Sequence, residues 1–398
     1  MAATSLPVTI LADDLTGACD TGCLFAGAGP VGVTVAPLLS SAGRPVLAVD
    51  TGTRAQSPRT ATDAIHATAR DLDARLQAGV VFKKIDSTMR GCVVEEVDAL
   101  LEHGPPFTGA LVCPAFPAQR RVVRQGRLLV DGVPVHESPI ARDPAFRGGA
   151  AELAALLAGL RPVVSLGLDD IRAGREKITH VLEQHRGALV AADAENDEDL
   201  ARLAAATLAV PGTLAVGAAG LGRALARALG LAAPPVALPA GAARLIVVGS
   251  LHPASRAQVD ALARGGVAVL TVDDDRGSDV APAIEALRAG RPALVTSATG
   301  TIGRTPAARE SMARRLARAA AAVIAGARPD LAAVTGGDTA RALLEALRPR
   351  CFDLLGAPAD GLALGRLALD EGPPLPLLTK AGGFGGPELF TTLPGGTA

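Results

Sequence analysis

The chain has 398 residues, 49% of them hydrophobic and 20% charged, enough for a sizeable core and two or three domains at about 100–200 residues each. Its 39 basic and 40 acidic residues give a formal net charge of −1, and Trp and Tyr are absent, so neither a basic field nor stacking platforms point to nucleic acid or an anionic membrane. Five scattered cysteines, no basic-then-apolar leader and no run of about 18 apolar residues predict a soluble cytoplasmic protein whose partners are small molecules.

The first predicted strand, VTILADD, ends in Asp13 and Asp14 and runs into LTGACDT. Two adjacent acids at a strand end crowd like charges, a cost that a cation, a metal or a substrate hydroxyl offsets. The simpler reading is that Asp14 only caps the following helix. Thr16-Gly17-Ala18 allows a substrate close to the backbone. Cys19 and Cys23, four apart on that helix, read as small buried residues rather than metal ligands.

Further strands are predicted in VGVTVA, PVLAVDT, VVFKKIDS, GALVCPAF, RPVVSLGLDD, GALVAAD and TLAVGAAG, alternating with Ala/Leu/Arg-rich helices, the pattern of a mostly parallel sheet covered by helices. After VVFKKIDS, the segment Lys83–Gly91 gathers Lys84, Asp86, Ser87, Thr88 and Arg90, a mixture suited to gripping a polyol that carries an acid group. Arg90 has the fork for a bidentate bond to a carboxylate. Alternatively Asp86 caps a helix with Glu95, Glu96 and Asp98 on its exposed face. Cys113–Pro144 holds too many prolines and isolated charges for a regular element and reads as a long functional loop, with His136 simply solvated. The turn Gly220-Leu221-Gly222 is a faint dinucleotide loop without the acid that would hold a ribose.

Leu231–Ala243, LAAPPVALPAGAA, reads as an interdomain linker. Beyond it, LIVVGS, VAVLTV, PALVTSA, LAAVTGG, FDLLGA and LPLLTKAGG predict a second α/β domain. Ser250 closes one strand, and Gly336-Gly337-Asp338-Thr339 turns another into a helix with Asp338 or Thr339 at the cap, a terminus able to receive phosphate. Thr379–Gly386 adds a glycine-dense loop holding Gly382 and Gly383, with Lys380 before it. Three such strand ends suggest a nucleotide crevice. A Walker-type loop is excluded, since none of the four lysines follows a glycine, and HExxH and GxSxG are absent.

ILADDLTGACDT, KKIDSTMRG, the run from CPAFP to ARDP, VAADAENDEDL, VGAAGL, GGDTA and TKAGGFGG occur in the order of matching blocks in the four-carbon acid sugar kinases, and the chain resembles that family over nearly its whole length. The resemblance implies two α/β domains, each a mostly parallel sheet flanked by helices: an acid-sugar-binding domain at 1–235 and a nucleotide-binding domain at 244–398, with the active site in the interdomain cleft. It implies ATP and Mg²⁺ as cofactors, Asp13 and Asp14 as catalytic carboxylates, and Lys84, Asp86, Ser87, Thr88 and Arg90 around the acid sugar. Ser250, Gly336, Gly337, Asp338, Thr339, Gly382 and Gly383 would contact ATP. Phosphorylation of the terminal hydroxyl of threonate, erythronate or an oxo-tetronate follows, with Arg90 and Lys84 on the substrate carboxylate. HESPIARDP is more similar to the threonate and erythronate branch, whereas Leu251-His252-Pro253 and Gly383 depart from the pattern of many relatives. An NAD(P)-dependent sugar-acid dehydrogenase and a non-catalytic sensor are the competing readings, and a homo-oligomer is left open.

Overall fold

The computed structural model describes residues 6–35, 43–104, 106–273, 278–298 and 305–392. It divides into two compact units, Met1–Ala233 and Pro234–Ala398. Among the described residues no helix is long and apolar enough to cross a membrane.

The first unit contains, in chain order, β1 (Val8–Ala12), β2 (Val31–Val35), β3 (Val46–Asp50), β4 (Val80–Lys84), β5 (Gly109–Cys113), β6 (Arg121–Arg124), β7 (Arg127–Val130), β8 (Val133–Pro134), β9 (Val163–Leu166), β10 (Leu189–Ala192) and β11 (Thr213–Gly217). Its main sheet runs β2-β3-β1-β4-β11-β5-β10-β9, every pairing parallel. Helices cover a parallel sheet on both faces, so its strands read as continuous apolar runs; β1, VTILA, is buried at all five positions. Full burial of a side chain such as Ile10 or Leu11 is worth about 1.5–3 kcal/mol. β1 lies between β3 and β4, so the chain leaves it toward one edge and later returns on the other. The carboxyl end of β1 is therefore a topological switch point, where α/β sheets open a crevice.

The stretch expected to lack regular structure holds a small antiparallel sheet, β6-β7-β8. Val123, Leu128 and Val130 are buried along its strands, while Gln125 and Asp131 take the left-handed conformation at its turns. Strand pairing satisfies the backbone there despite Pro134, which sits on the short edge strand.

The second unit contains β12 (Arg244–Val248), β13 (Ala268–Val272), β14 (Ala293–Ser297), β15 (Leu331–Thr335), β16 (Cys351–Gly356), β17 (Leu362–Ala368) and β18 (Leu375–Lys380). The order is β13-β14-β12-β15-β18-β17-β16, parallel from β13 to β18, with β17 antiparallel to both its neighbours. β17 lies in GLALGRLALD, a Leu/Ala/Gly-rich segment interrupted by Arg366 and absent from the strands expected from the sequence. Ile246, Val248, Leu294, Leu331, Leu364, Leu378 and Phe390 pack into the core. β12, between β14 and β15, is this unit's switch point. Within 231–243, Leu231 accepts from the Gly27 N–H and Ala233 donates to the Leu24 carbonyl, whereas Val236 donates to the Ala357 carbonyl.

Candidate active site

In the first unit the loops after β1, β3 and β4 build a layered charge cluster. Asp14 is the N-cap of the helix Leu15–Gly22: its Oδ1 accepts from the Gly17 N–H at 2.9 Å and its Oδ2 from the Thr16 hydroxyl at 2.6 Å. Asp13, 1% exposed, takes Arg54 bidentately, Nε to Oδ2 at 2.8 Å and Nη2 to Oδ1 at 2.7 Å. The same Nη2 lies 2.8 Å from Asp14 Oδ1, so one guanidinium neutralises both acids. Arg54 is fixed from the backbone side too, its N–H donating to the Asp13 carbonyl. A Cβ at Gly17 would sit 2.6 Å from Asp14 Oδ1 and 3.1 Å from Lys84 Nζ, so the bare glycine is what lets these groups converge.

A second cluster stands after β4. Asp86 accepts from the Thr88 N–H and hydroxyl and holds Arg90 bidentately, at 2.9 and 2.7 Å. The left-handed Met89 bends the chain so that positions 86 and 90 face each other. Arg90 Nη1 reaches Asp143 Oδ2 at 2.9 Å. Behind Asp13, Lys83 and Glu96 form a fully buried pair at 2.5 Å.

Burial alone would raise the Asp13 carboxyl, but the Arg54 guanidinium, with Lys83 and Lys84, outweighs it and holds Asp13 below the usual carboxylate range. Against the same burial, Arg90, Arg54 and Thr88 hold Asp86 well below that range. Burial wins at Glu96, which is raised despite Lys83. Asp13 and Asp86 are thus held toward the anionic form by their cations despite burial.

In the second unit the corresponding strand ends carry backbone rather than charge. Gly336, with φ of 99°, caps the helix Gly337–Leu347, whose first-turn N–H groups have no intrahelical acceptor. Ser250, after β12, stands beside it: a Cβ on Gly336 would lie 3.6 Å from the Ser250 Cβ, and one on Gly382 would lie 2.5 Å from Ser250 Oγ. Ser255, in the helix Pro253–Arg264, donates to the Gly382 carbonyl at 2.5 Å. The hydroxyls of Ser297 and Thr335, closing β14 and β15, are buried without a hydrogen-bond partner among the described residues. At the end of β18, Lys380 is 1% exposed, and burial pulls its ammonium down to about 7.

Family models match both units: a sugar-binding N-terminal domain over residues 8–225 and a nucleotide-binding C-terminal domain over 245–390. The chain is 35% identical over 401 residues to a D-threonate kinase of Bordetella bronchiseptica, covering 95% of this chain and 94% of that one. The chain belongs to the four-carbon acid sugar kinase family. It is also 34% identical to a 3-oxo-tetronate kinase of Methylobacterium radiotolerans, over 97% of this chain and 98% of that one. A structure described as a putative tRNA synthase from Salmonella typhimurium shares the fold, with a TM-score of 0.73 at 22% identity over 96% of this chain and 97% of that one.

Within this family member, Asp14, Lys84 and Arg54 meet around Gly17, Asp13 joins them through Arg54, and Ser250, Gly336 and Gly382 meet in the second unit. Gly383 approaches the His252 ring at 3.1 Å from its would-be Cβ. Three expectations change. The Arg90 fork, expected on a substrate carboxylate, is turned onto Asp86, its partner at i,i+4. Glu96 is not on an exposed face but paired under the site with Lys83. The cap of the Gly337–Leu347 helix is Gly336, with Asp338 exposed in the first turn and Thr339 buried. Ser87 is half-buried in the same turn as Asp86. Arg54 and Asp143 were not anticipated: Arg54 lies in TGTRAQ after β3 with no acidic neighbour to mark it, and only strand order brings it to β1. The glycines of GAAGLG serve packing, since a Cβ at Gly217 or Gly220 would fall 2.6 Å from the carbonyl of Cys113 or Ala115. His136 lies 3.5 Å from Glu137.

Proposed function

We propose that this kinase transfers the γ-phosphoryl group of ATP to the terminal hydroxyl of a four-carbon acid sugar, giving the 4-phosphate, and that threonate is the first acid to try. The observation that carries the reading is the pair of strand-end carboxylates held on one guanidinium at the switch point of the first unit. Threonate draws support from the kinase of Bordetella bronchiseptica and from Asp143 of the ARDP run, which reaches Arg90.

Asp14, the more exposed of the two acids at 13% against 1%, takes the proton of the attacking hydroxyl, while Asp13 fixes Arg54. Arg54 and Lys84 supply positive charge for the substrate carboxylate. Arg90 acts through Asp86, holding the Asp86–Thr88 turn whose Ser87 and Thr88 face hydroxyls. Ser250, the first turn Gly337-Asp338-Thr339 after Gly336, and Gly382-Gly383 receive the nucleotide phosphates, so domain 1–235 takes the acid sugar and 244–398 the ATP. In-line transfer then requires the terminal hydroxyl of the acid sugar to be aligned with the γ-phosphate of the bound ATP.

Mg²⁺ completes the proposal. Among the described residues no group of three or more His, Cys, Asp or Glu is arranged for a metal ion. A nucleotide Mg²⁺ needs only one or two carboxylates besides phosphates and water, and Asp14 fits that donor set. When bound it neutralises charge on the transferring phosphoryl group.

The test is ADP release from Mg²⁺-ATP against D- and L-threonate, D- and L-erythronate, their oxo forms and longer sugar acids. Saturable release with one four-carbon acid supports the reading. Release with none of them, while ATP still binds, removes the proposed substrate class.

A further inference from the structure

The loop after β18 is held in an unusual way. Lys380 Nζ donates to the carbonyls of Ala381 at 2.8 Å, Gly382 at 3.4 Å and Phe384 at 2.9 Å. Gln258 Nε2 donates to the carbonyls of Phe384, Gly385 and Gly386 at 3.0, 3.1 and 3.0 Å, and Ser255 Oγ to that of Gly382. Three side chains, two from the helix Pro253–Arg264 and one from β18, thus gather the carbonyl oxygens of the loop on one side. Lys380 has no carboxylate partner among the described residues, so this buried ammonium is used on carbonyls alone.

A trans peptide sets its N–H opposite its C=O. With the carbonyls of 381, 382, 384 and 385 turned inward, the N–H groups of Gly382, Gly383, Gly385 and Gly386 are turned away from the clamp, and none has a protein acceptor among the described residues. Pro387 has no N–H to follow the inward carbonyl of Gly386. Successive outward N–H groups form an anion-binding concavity. Side chains are excluded from it by contact: a Cβ at Gly382 would strike Ser250 Oγ, and Gly385 has φ of 80°.

We propose that Lys380, Gln258 and Ser255 are positioning residues that build a phosphate-binding loop from residues 381–386 by holding its carbonyls inward, so that the loop grips the polyphosphate of the nucleotide through neutral glycine N–H groups. The inference rests on the nucleotide reading of the second unit and adds which residues create its phosphate grip. Lys380 itself touches no phosphate.

Calorimetric titration of the full chain with ADP, pyrophosphate and adenosine, for wild type, Lys380→Met and Gln258→Met, tests it. Met fills nearly the same volume without donors, and Ser255→Ala gives a third variant that removes one donor and little volume. ADP and pyrophosphate affinity are expected to fall at least about tenfold in the Lys380 and Gln258 variants, and less in Ser255→Ala, with adenosine within about twofold of wild type. KM for ATP rises while KM for the acid sugar holds. Wild-type affinity for ADP and pyrophosphate in Gln258→Met overturns the inference, because a loss confined to Lys380→Met marks that lysine as a direct phosphate ligand. Equal weakening of adenosine and ADP overturns it as well. If wild type binds pyrophosphate but not ADP, the nucleotide reading falls and the loop survives; if it binds neither, both fall.

Discussion

The two units place their sites by the same topological rule and fill them with opposite materials. In the first, loops after β1, β3 and β4 bring together Asp13, Asp14, Arg54, Lys84, Asp86 and Arg90, and the charges satisfy one another before any ligand arrives. In the second, loops after β12, β15 and β18 bring together Ser250, Gly336 and the 381–386 loop, with one buried ammonium and a surface of peptide groups. A polyol acid presents hydroxyls and one carboxylate, which side-chain carboxylates and cations discriminate. A polyphosphate presents many equivalent oxygens, which a row of N–H groups meets without placing a cation against them.

Asp14→Asn breaks the first site with the largest expected effect. Asn caps a helix as well as Asp does, so the Leu15–Gly22 helix persists and Asp13 retains Arg54. Turnover falls about 10²–10⁴-fold, the usual contribution of a general base, with thermal stability nearly unchanged. An ADP-release assay beside a melting curve separates the two, and retained turnover would remove Asp14 from the chemistry. Arg54→Met comes next. It strands a buried carboxylate at Asp13, and loss of one partner of a buried pair costs about 3–5 kcal/mol, read in denaturant unfolding. An unfolding free energy within about 1 kcal/mol of wild type would mean that Arg54 does not neutralise Asp13.

Gly382→Ala perturbs the second site alone. The new Cβ would meet Ser250 Oγ at 2.5 Å, so the loop or the serine shifts. KM for ATP is expected to rise about tenfold, within the 1–3 kcal/mol of a local strain, and KM for the acid sugar to stay put. Equal changes in both constants would mean that the two sites are not separately built.

Most of this fold was legible, because parallel strands buried on both faces announce themselves as VTILA, RLIVV or LAAVT between turn residues. β6–β8 and β17 were not, since their pairing depends on partners distant from any local period. At the sites, Asp13, Asp14 and Gly336 were legible as strand-end residues. Arg54 was not, because its partners lie 40 and 41 positions away in sequence and adjacent strands alone join them. The engagement of Arg90 by Asp86 was hidden for a different reason: the motif shows which groups are present, and only the left-handed turn at Met89 decides that they face each other. Likewise the clamp on residues 381–386 is invisible in KAGGFGG, since it is made by Ser255 and Gln258 from another helix.

A change of pH also separates the units. Asp13 and Asp86 lie below the ordinary 3.8, so the unfolded chain binds their protons first. Their stabilisation is complete above that value and is lost as pH falls from it through their lower folded values. Lys380 works in the other direction: its folded value of about 7 is below the ordinary 10.5, so between those limits the unfolded chain holds a proton that the folded chain has released. Stability therefore gains from Lys380 as pH rises from about 7 toward 10.5, by at most about 1.4 kcal/mol per pH unit. Below 7 the cost of burying the charge is fully present. Denaturant unfolding of wild type and Lys380→Met across this range isolates the contribution: the variant, with nothing to titrate, is expected to lose that slope while keeping the acid limb set by Asp13 and Asp86. An alkaline slope unchanged by the substitution would mean that Lys380 keeps its proton through this range, and that the carbonyls of 381, 382 and 384 stabilise the ammonium more strongly than burial penalises it.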